Sequence, residues 1–163
     1  MSAVDPDLRG EGMRIGIVWS RFNEEIVREL LTACDRELVR LGVAPEDIGV
    51  ITPYQAQVRL IRDGVVDLLD RGLEVSSVDG FQGREKLVIV VDLVRSNDEG
   101  EIGFLRDVRR MNVALTRARR WLMVLGDGAL MARHRYYKGL LEHAENTGAW
   151  LSAWSDEGEA LER

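Results

Sequence analysis

Cysteine, proline and long apolar stretches are scarce in this chain, and each scarcity excludes a class of protein. The 163 residues include one cysteine, Cys34, so no internal disulfide and no cysteine-based zinc site is available. The two histidines show no carboxylate pattern around them and predict no metal site. No apolar run approaches the roughly 20 residues that span a bilayer, and the acidic residues 1–11 contain no signal-peptide core. We therefore expect a soluble, cytoplasmic protein with no membrane partner.

The charge balance excludes a protein that grips nucleic acid over its whole surface, because the net charge is -6. A basic region is nevertheless present within fifteen residues of the chain. Its members are Arg106, Arg109, Arg110, Arg117, Arg119 and Arg120. We therefore expect any contact with nucleic acid or another anion to come from this local group of arginines.

Strand-like and helix-like patterns alternate along the chain, which is long enough for one domain with a core of its own. The predicted strands are Arg14–Trp19, Ile48–Thr52, Glu74–Val78, Leu87–Val94, Trp121–Leu125 and, as an edge strand, Ala149–Ala153. The predicted helices are Asn23–Arg40, Tyr54–Leu69, Asp107–Arg119 and Ala129–Asn146, and residues 155–163 form an acidic tail. This order predicts a three-layer α/β sandwich around a mainly parallel sheet of five or six strands.

Polar, glycine-containing stretches follow the predicted strands, where parallel sheets place their working sites. These stretches are residues 20–23, 52–54, 79–85, 95–97 and 126–127. The small hydroxyls and two glycines of residues 76–86 permit close backbone approach to a phosphate, or they form a satisfied tight turn. Residues 109–119 place Arg110, Val113 and Arg117 on one side of a helix, either for a polyphosphate or as a solvated face paired with acids.

Three ordered segments resemble motifs of superfamily 1 helicases, in the group of the nonsense-mediated-decay and immunoglobulin-mu-binding helicases. Residues 51–57 (ITPYQAQ) resemble motif IV, residues 77–85 (SVDGFQGRE) motif V and residues 112–119 (NVALTRAR) motif VI. The resemblance covers residues 42–154 and implies that residues 1–163 form one RecA-like domain, similar to P-loop NTPases without the P-loop. That domain is the second of the two in such helicases.

The resemblance also implies site residues. Arg117 matches the arginine finger that contacts the γ-phosphate and is catalytic only beside a partner domain. The implied nucleotide-binding residues are Tyr54, Gln57, Gly83, Glu85, Arg110 and Arg117. The implied nucleic-acid-binding residues are Ser77, Asp79 and Arg109.

A phosphate loop is missing, because no G-x-x-x-x-G-K-[ST] occurs in the chain, and no Walker B acid pair follows an apolar strand. In the resembling helicases both belong to the first RecA-like domain. We therefore expect no cofactor in isolation, with ATP and Mg²⁺ bound only beside that partner domain. The expected function is the helicase half that supplies the arginine finger, inactive alone, with weak binding of single-stranded nucleic acid.

Residues 10–48 resemble the first strand and helix of lumazine synthase, through the turn Ser20-Arg21-Phe22-Asn23. Either the helicase family converged on this turn, or the chain is a chimera joined within residues 42–48. The alternatives to a helicase half are accordingly an engineered or recombined chimera without activity, and a flavin- or lumazine-binding protein that uses Phe22.

Overall fold

The computed structural model describes residues 14–19, 38–40 and 42–152 and shows a parallel sheet there. Its strands are β1 (Arg14–Trp19), β2 (Ile48–Thr52), β3 (Glu74–Ser77), β4 (Lys86–Asp92), β5 (Ala118–Gly126) and β6 (Trp150–Ser152). Their spatial order is β3-β2-β4-β5-β1-β6, and every neighbouring pair is parallel. The predicted α/β class, the parallel sheet and the sixth strand at an edge are confirmed.

Helices and short 3-10 turns connect these strands. The α-helices are α1 (Gln55–Gly64), α2 (Val66–Leu69), α3 (Val108–Leu115), α4 (Gly128–Met131) and α5 (Arg135–Asn146). The 3-10 turns are Pro45–Asp47, Asp79–Phe81 and Gly103–Arg106. Residues 38–40 are helical, and the rest of the predicted helix Asn23–Arg40 lies outside the described residues.

Two buried clusters cover the two faces of the sheet, which explains why β2 and β4 are almost wholly apolar. Ile89 and Val91 face the cluster that contains residues of α3, α4 and α5. Val88 and Val90, the alternate residues of β4, face the cluster that contains residues of α1 and α2. The alternation is the period of two that a strand imposes on its side chains.

Two predicted helices are each divided. Tyr54–Leu69 is interrupted at Val65, whose φ of -129° and ψ of 33° are not helical and whose side chain is fully buried. Ala129–Asn146 is interrupted between Met131 and Arg135, and His134, just before α5, has a φ of -107° and a ψ of 126°. At Val65, burial of the side chain in the core overrides the helical pattern of the sequence.

The predicted helix Asp107–Arg119 ends early, at Leu115. Thr116 donates its hydroxyl hydrogen to the Asn112 and Val113 carbonyls of the last turn, 2.8 and 3.2 Å away. The chain then enters β5 at Ala118, which pairs with Lys86. Arg117 consequently lies in the turn after the helix. The spacing of the arginines predicts it on the helix, and that prediction is wrong.

Candidate functional site

Two segments that the sequence singled out lie beside each other on one face of the sheet. We call residues 77–85 and 107–119 the paired segments. Near the carboxyl edge of the sheet, Arg110 Nε lies 3.6 Å from Asp79 Oδ1. Near the amino edge, Arg119 Nε lies 3.4 Å from Glu85 Oε2, and the Lys86 amide donates to the Arg117 carbonyl over 3.1 Å. The prediction that all of 79–85 lies at the carboxyl ends of the strands is therefore wrong, because this stretch crosses from one edge of the sheet to the other.

The first paired segment turns sharply as it leaves β3. The Gly80 amide donates to the Ser77 hydroxyl over 3.2 Å. A Cβ on Gly80 would lie 2.3 Å from Ser76 Oγ, so only glycine fits without displacement of that hydroxyl. Phe81 is fully buried and packs over Gly49, where a Cβ would lie 2.5 Å from its ring. A large apolar anchor and two small residues thus hold the segment against the sheet.

The amino-edge end of the paired segments gathers three of the predicted nucleotide-binding residues. Gly83 has a φ of +79°, the left-handed region that favours glycine, and it is exposed. The Glu85 side chain is 50% exposed. Arg117 donates from Nε to the Val113 carbonyl over 3.0 Å and from Nη2 to the Thr116 hydroxyl over 3.1 Å. Two of its five N–H donors are therefore used in this way, and no described carboxylate forms an ion pair with it.

At its other end, the second paired segment begins with a capped helix. Asp107 Oδ1 accepts a hydrogen bond from the Arg109 amide over 3.2 Å. Arg110 Nε lies 3.5 Å from Asp107 Oδ2, and its guanidinium lies 4.3 Å from the centre of the Phe104 ring. Arg109 is exposed, and its side chain forms no ion pair with a residue that the structure describes. Arg110 thus bridges the paired segments, whereas Arg109 is accessible.

Tyr54 forms a second group at the carboxyl edge, just before α1. Its hydroxyl accepts hydrogen bonds from Arg95 Nε over 3.0 Å and from the Phe104 amide over 3.4 Å. The Arg95 guanidinium lies 5.6 Å from the Tyr54 ring centre, and the Tyr54 and Phe104 rings lie 6.1 Å apart. Gly103 has a φ of +52°, and a Cβ there would lie 2.7 Å from Arg95 Nη2. Close packing therefore fixes the position of the tyrosine.

Four polar residues are buried in the described part of the chain, and all lie at or just beyond the carboxyl ends of β2, β4 and β5. They are Thr52, Gln57, Asp92 and Asp127. Asp92 accepts from Gln57 Nε2 over 2.9 Å and from the Val94 amide over 3.0 Å. Burial raises the pKa of Asp92 to about 6, although both hydrogen bonds act in the opposite direction.

Sequence reasoning missed Asp92, and it placed Gln57 at the nucleotide. The signal for Asp92 was a carboxylate that ends the otherwise apolar run LVIVVD. Gln57 is 4% exposed, and its side-chain amide is engaged by that carboxylate. Direct contact of Gln57 with a nucleotide stays a prediction.

The part of the chain that the structure describes contains no group of three or more histidine, cysteine, aspartate or glutamate side chains able to hold a metal ion. Within the same residues, no helix combines the length and apolar character needed to cross a membrane.

Comparison with known families gives one match that spans most of the chain. A family profile described as an AAA domain matches residues 12–129. The DNA-binding protein SMUBP-2 of Rattus norvegicus is 44% identical over 135 residues, which are 83% of this chain and 14% of that protein. The ATP-dependent helicase NAM7 of Saccharomyces cerevisiae is 44% identical, over 76% of this chain and 14% of its own length. The Regulator of nonsense transcripts 1 homolog of Arabidopsis thaliana is 46% identical, over 72% and 10%. The chain thus spans about one seventh or less of these relatives.

A solved structure supports the fold. The C-terminal domain of a possible DNA helicase from Lactobacillus plantarum matches 77% of this chain and 84% of its own length, with a TM-score of 0.52 and 13% identity. At that identity the match shows the fold alone.

The lumazine synthase resemblance of residues 10–48 and the chimera interpretation are not supported by the comparisons. The AAA domain match covers residues 12–129, which include the turn at residues 20–23 and the expected join at residues 42–48. Phe22, on which a flavin-binding alternative depended, lies outside the described residues.

Proposed function

This chain belongs to the AAA domain family, as a RecA-like domain of the superfamily 1 helicase type, and from that premise we propose that it acts as the second RecA-like half of an ATP-dependent helicase. In this proposal Arg117 stabilises the charge that develops on the γ-phosphate, and Glu85 and Gly83 adjoin the rest of the nucleotide. The loop that cradles the phosphates and the residues that bind Mg²⁺ belong to the first RecA-like half. ATP is thus held between the two halves.

One observation carries the proposal, namely that the paired segments bring Arg117 and Glu85 to the same end of the same face. The Arg117 carbonyl bonds the Lys86 amide, next in the chain to Glu85, and Arg119 pairs with Glu85 across the gap. The positive charge of Arg117 is not neutralised by a carboxylate among the described residues, and the donors that Val113 and Thr116 do not use remain for an incoming phosphate. Phosphoryl transfer depends mainly on positioning and charge stabilisation, which such a residue supplies.

In this proposal the opposite end of the paired segments couples the nucleotide site to a nucleic-acid strand. Asp79 and Arg110 join the two segments there, and Ser77 fixes the turn that carries Asp79. Arg109 is exposed next to this link and is accessible to a backbone phosphate. A displacement of one segment would therefore be transmitted to the other along their common length. In this proposal single-stranded nucleic acid binds weakly at this end.

The test is a domain exchange in which this chain replaces its matching segment in the yeast NAM7 helicase, followed by measurement of ATP hydrolysis. We expect the exchanged protein to hydrolyse ATP and Arg117→Ala to lower kcat by about 10³-fold or more. Arg117→Lys should restore little of this loss, because an ammonium lacks the planar fork of donors. Arg62→Ala, an exposed arginine on α1, serves as the matched control.

Two outcomes would contradict the proposal. One is an exchanged protein that is folded but hydrolyses no ATP while the parent helicase is active. The other is hydrolysis that the Arg117→Ala and Arg62→Ala variants support equally well.

A further inference from the structure

We propose that Asp92 is a positioning residue, which fixes the turn that carries Arg95 and the helix that follows Tyr54, and so sets these two side chains as a pair at the carboxyl edge. The relevance of this pair to a nucleic-acid strand rests on the proposed function, whereas the positioning itself is a property of this chain.

The turn after β4 is strained. Val94 has a φ of +65°, and it is the one described non-glycine residue with a positive φ. The Arg95 amide donates to the Leu93 carbonyl over 2.6 Å, so residues 93–95 form a three-residue turn with its central φ in the rare, positive range. A β-branched residue adopts this conformation only when its surroundings hold it there, and such strain is concentrated at functional sites.

The Asp92 carboxylate supplies that restraint and links it to motif IV. One oxygen accepts from the Val94 amide, and the other accepts from the Gln57 side chain, three residues beyond Tyr54. The Val58 amide also bonds the Tyr54 carbonyl, so Tyr54 and Gln57 belong to the same helical turn. A single buried carboxylate therefore connects the segment of Tyr54 with the segment of Arg95.

The residues after the turn are held one by one. Arg95 meets Tyr54, Ser96 donates to Asp127 over 2.6 Å, and Asn97 exchanges two hydrogen bonds with Glu101. These contacts form only when the backbone at Val94 has the conformation that directs the following residues toward Tyr54 and Asp127. They therefore depend on the turn that Asp92 holds.

Stability alone does not explain a carboxylate at this position. Asp92 is 1% exposed, and no described cation forms an ion pair with it. The groups that face it are the neutral Gln57 amide from α1 and the backbone of its own loop. Burial of an unpaired carboxylate lowers stability. The two groups that Asp92 holds, the Gln57 amide and the Val94 backbone, therefore explain its presence better than a gain in stability does.

The experiment compares three variants of this chain with the wild type, by amide hydrogen exchange followed by NMR. Asp92→Ala removes both hydrogen bonds, whereas Asp92→Asn keeps them once the Gln57 amide turns over to offer its oxygen. The double variant Asp92→Ala/Val94→Gly tolerates the positive φ without the carboxylate. Val90, in the centre of β4, reports global unfolding in the same spectra, and urea unfolding corrects for changes in global stability.

We expect the Val94 and Arg95 amides to exchange about tenfold or more faster in Asp92→Ala than global stability accounts for. Asp92→Asn should stay within about threefold of the wild type, and the glycine variant should recover a large part of the loss at the Arg95 amide, whose acceptor is the Leu93 carbonyl. The Val94 amide resonance should titrate with pH in the wild type and not in Asp92→Asn. The inference is overturned if the Arg95 amide, which does not bond Asp92, changes only as Val90 does.

A second readout tests the link to the nucleic-acid strand in the exchanged helicase described above. There Asp92→Ala should raise Kd for a single-stranded oligonucleotide by about fivefold with kcat for ATP hydrolysis changed less than about twofold, and Asp92→Asn should restore Kd. An unchanged Kd would overturn the link between the pair and the strand. An exchanged helicase that hydrolyses no ATP would instead contradict the proposed function, while the hydrogen exchange still decides whether Asp92 positions the turn.

Discussion

Replacement of Asp92 by asparagine should stabilise the protein at neutral pH, which is unusual for the loss of a carboxylate that accepts two hydrogen bonds. The carboxyl has a pKa of about 6 in the folded protein, against an ordinary value of 3.8. The unfolded state therefore binds fewer protons than the folded state between these values, and stability falls as the pH rises through about 6. The favourable contribution of the protonated form is complete only below the unfolded pKa. A difference of roughly two in pKa corresponds to about 3 kcal/mol at pH values above both.

Asparagine removes this cost and keeps both hydrogen bonds. Asp92→Asn should thus be more stable than the wild type by up to about 3 kcal/mol near pH 7.5, and by little near pH 4. Urea unfolding followed by tryptophan fluorescence between about pH 4 and pH 8 measures the difference. Asp63→Asn, which removes an exposed carboxylate on α1, is the control substitution. A stability difference that is independent of pH, or a wild type more stable than Asp92→Asn at neutral pH, would refute the reasoning.

Three further predictions concern packing, binding and activity. Gly49→Ala should destabilise the fold by about 1–3 kcal/mol in urea unfolding, because its Cβ would lie 2.5 Å from the Phe81 ring. Gly139→Ala in α5, where a Cβ has open space, is the control and should be neutral or stabilising. Equal effects of the two substitutions would contradict this. Single-stranded oligonucleotide should bind weakly in fluorescence anisotropy, with log K falling by about 0.7 per phosphate contact against log salt, and Arg109→Ala/Arg110→Ala should abolish binding; a titration unaffected by the double variant would disprove it. The isolated chain should hydrolyse ATP no faster than buffer in a phosphate-release assay, since it has no phosphate loop; turnover that disappears with Arg117→Ala would show the opposite.

The strands were predictable from the sequence because their apolar runs are short and buried on both faces. Runs such as Ile48–Thr52 coincide with the observed strand, since every residue of it is buried. The helix boundaries were less predictable. Val65 is apolar and fits the helical period, but its backbone is not helical, and the helix is divided at this buried residue. Arg117 fits the spacing of α3, but the need to begin β5 at Ala118 ends the helix first. Strand pairing and burial in the core decided these boundaries, and the periodicity of a local segment carries no information about either.

The sequence named candidate site residues but did not indicate how they are arranged. Motif resemblance named Glu85 and Arg117, whose roles stay predictions, and the fold brings their segments together. The contacts of Tyr54 with Arg95, and of Gln57 with Asp92, join residues more than thirty positions apart. A register that spans β2 and β4 creates these contacts, and no periodicity in either segment indicates them. The positive φ of Val94 was equally hidden, because valine is among the residues least expected there.

The central claim is that Arg117 contacts the γ-phosphate of a nucleotide held between two RecA-like halves, and nucleotide affinity tests it most directly. The exchanged helicase would be titrated with a non-hydrolysable ATP analogue and with ADP, as the wild type and as Arg117→Ala. The account predicts that Arg117→Ala weakens the ATP analogue by about tenfold or more and ADP by less than about twofold, because ADP lacks the phosphate that Arg117 contacts. Equal weakening of both nucleotides, or of neither, would contradict it.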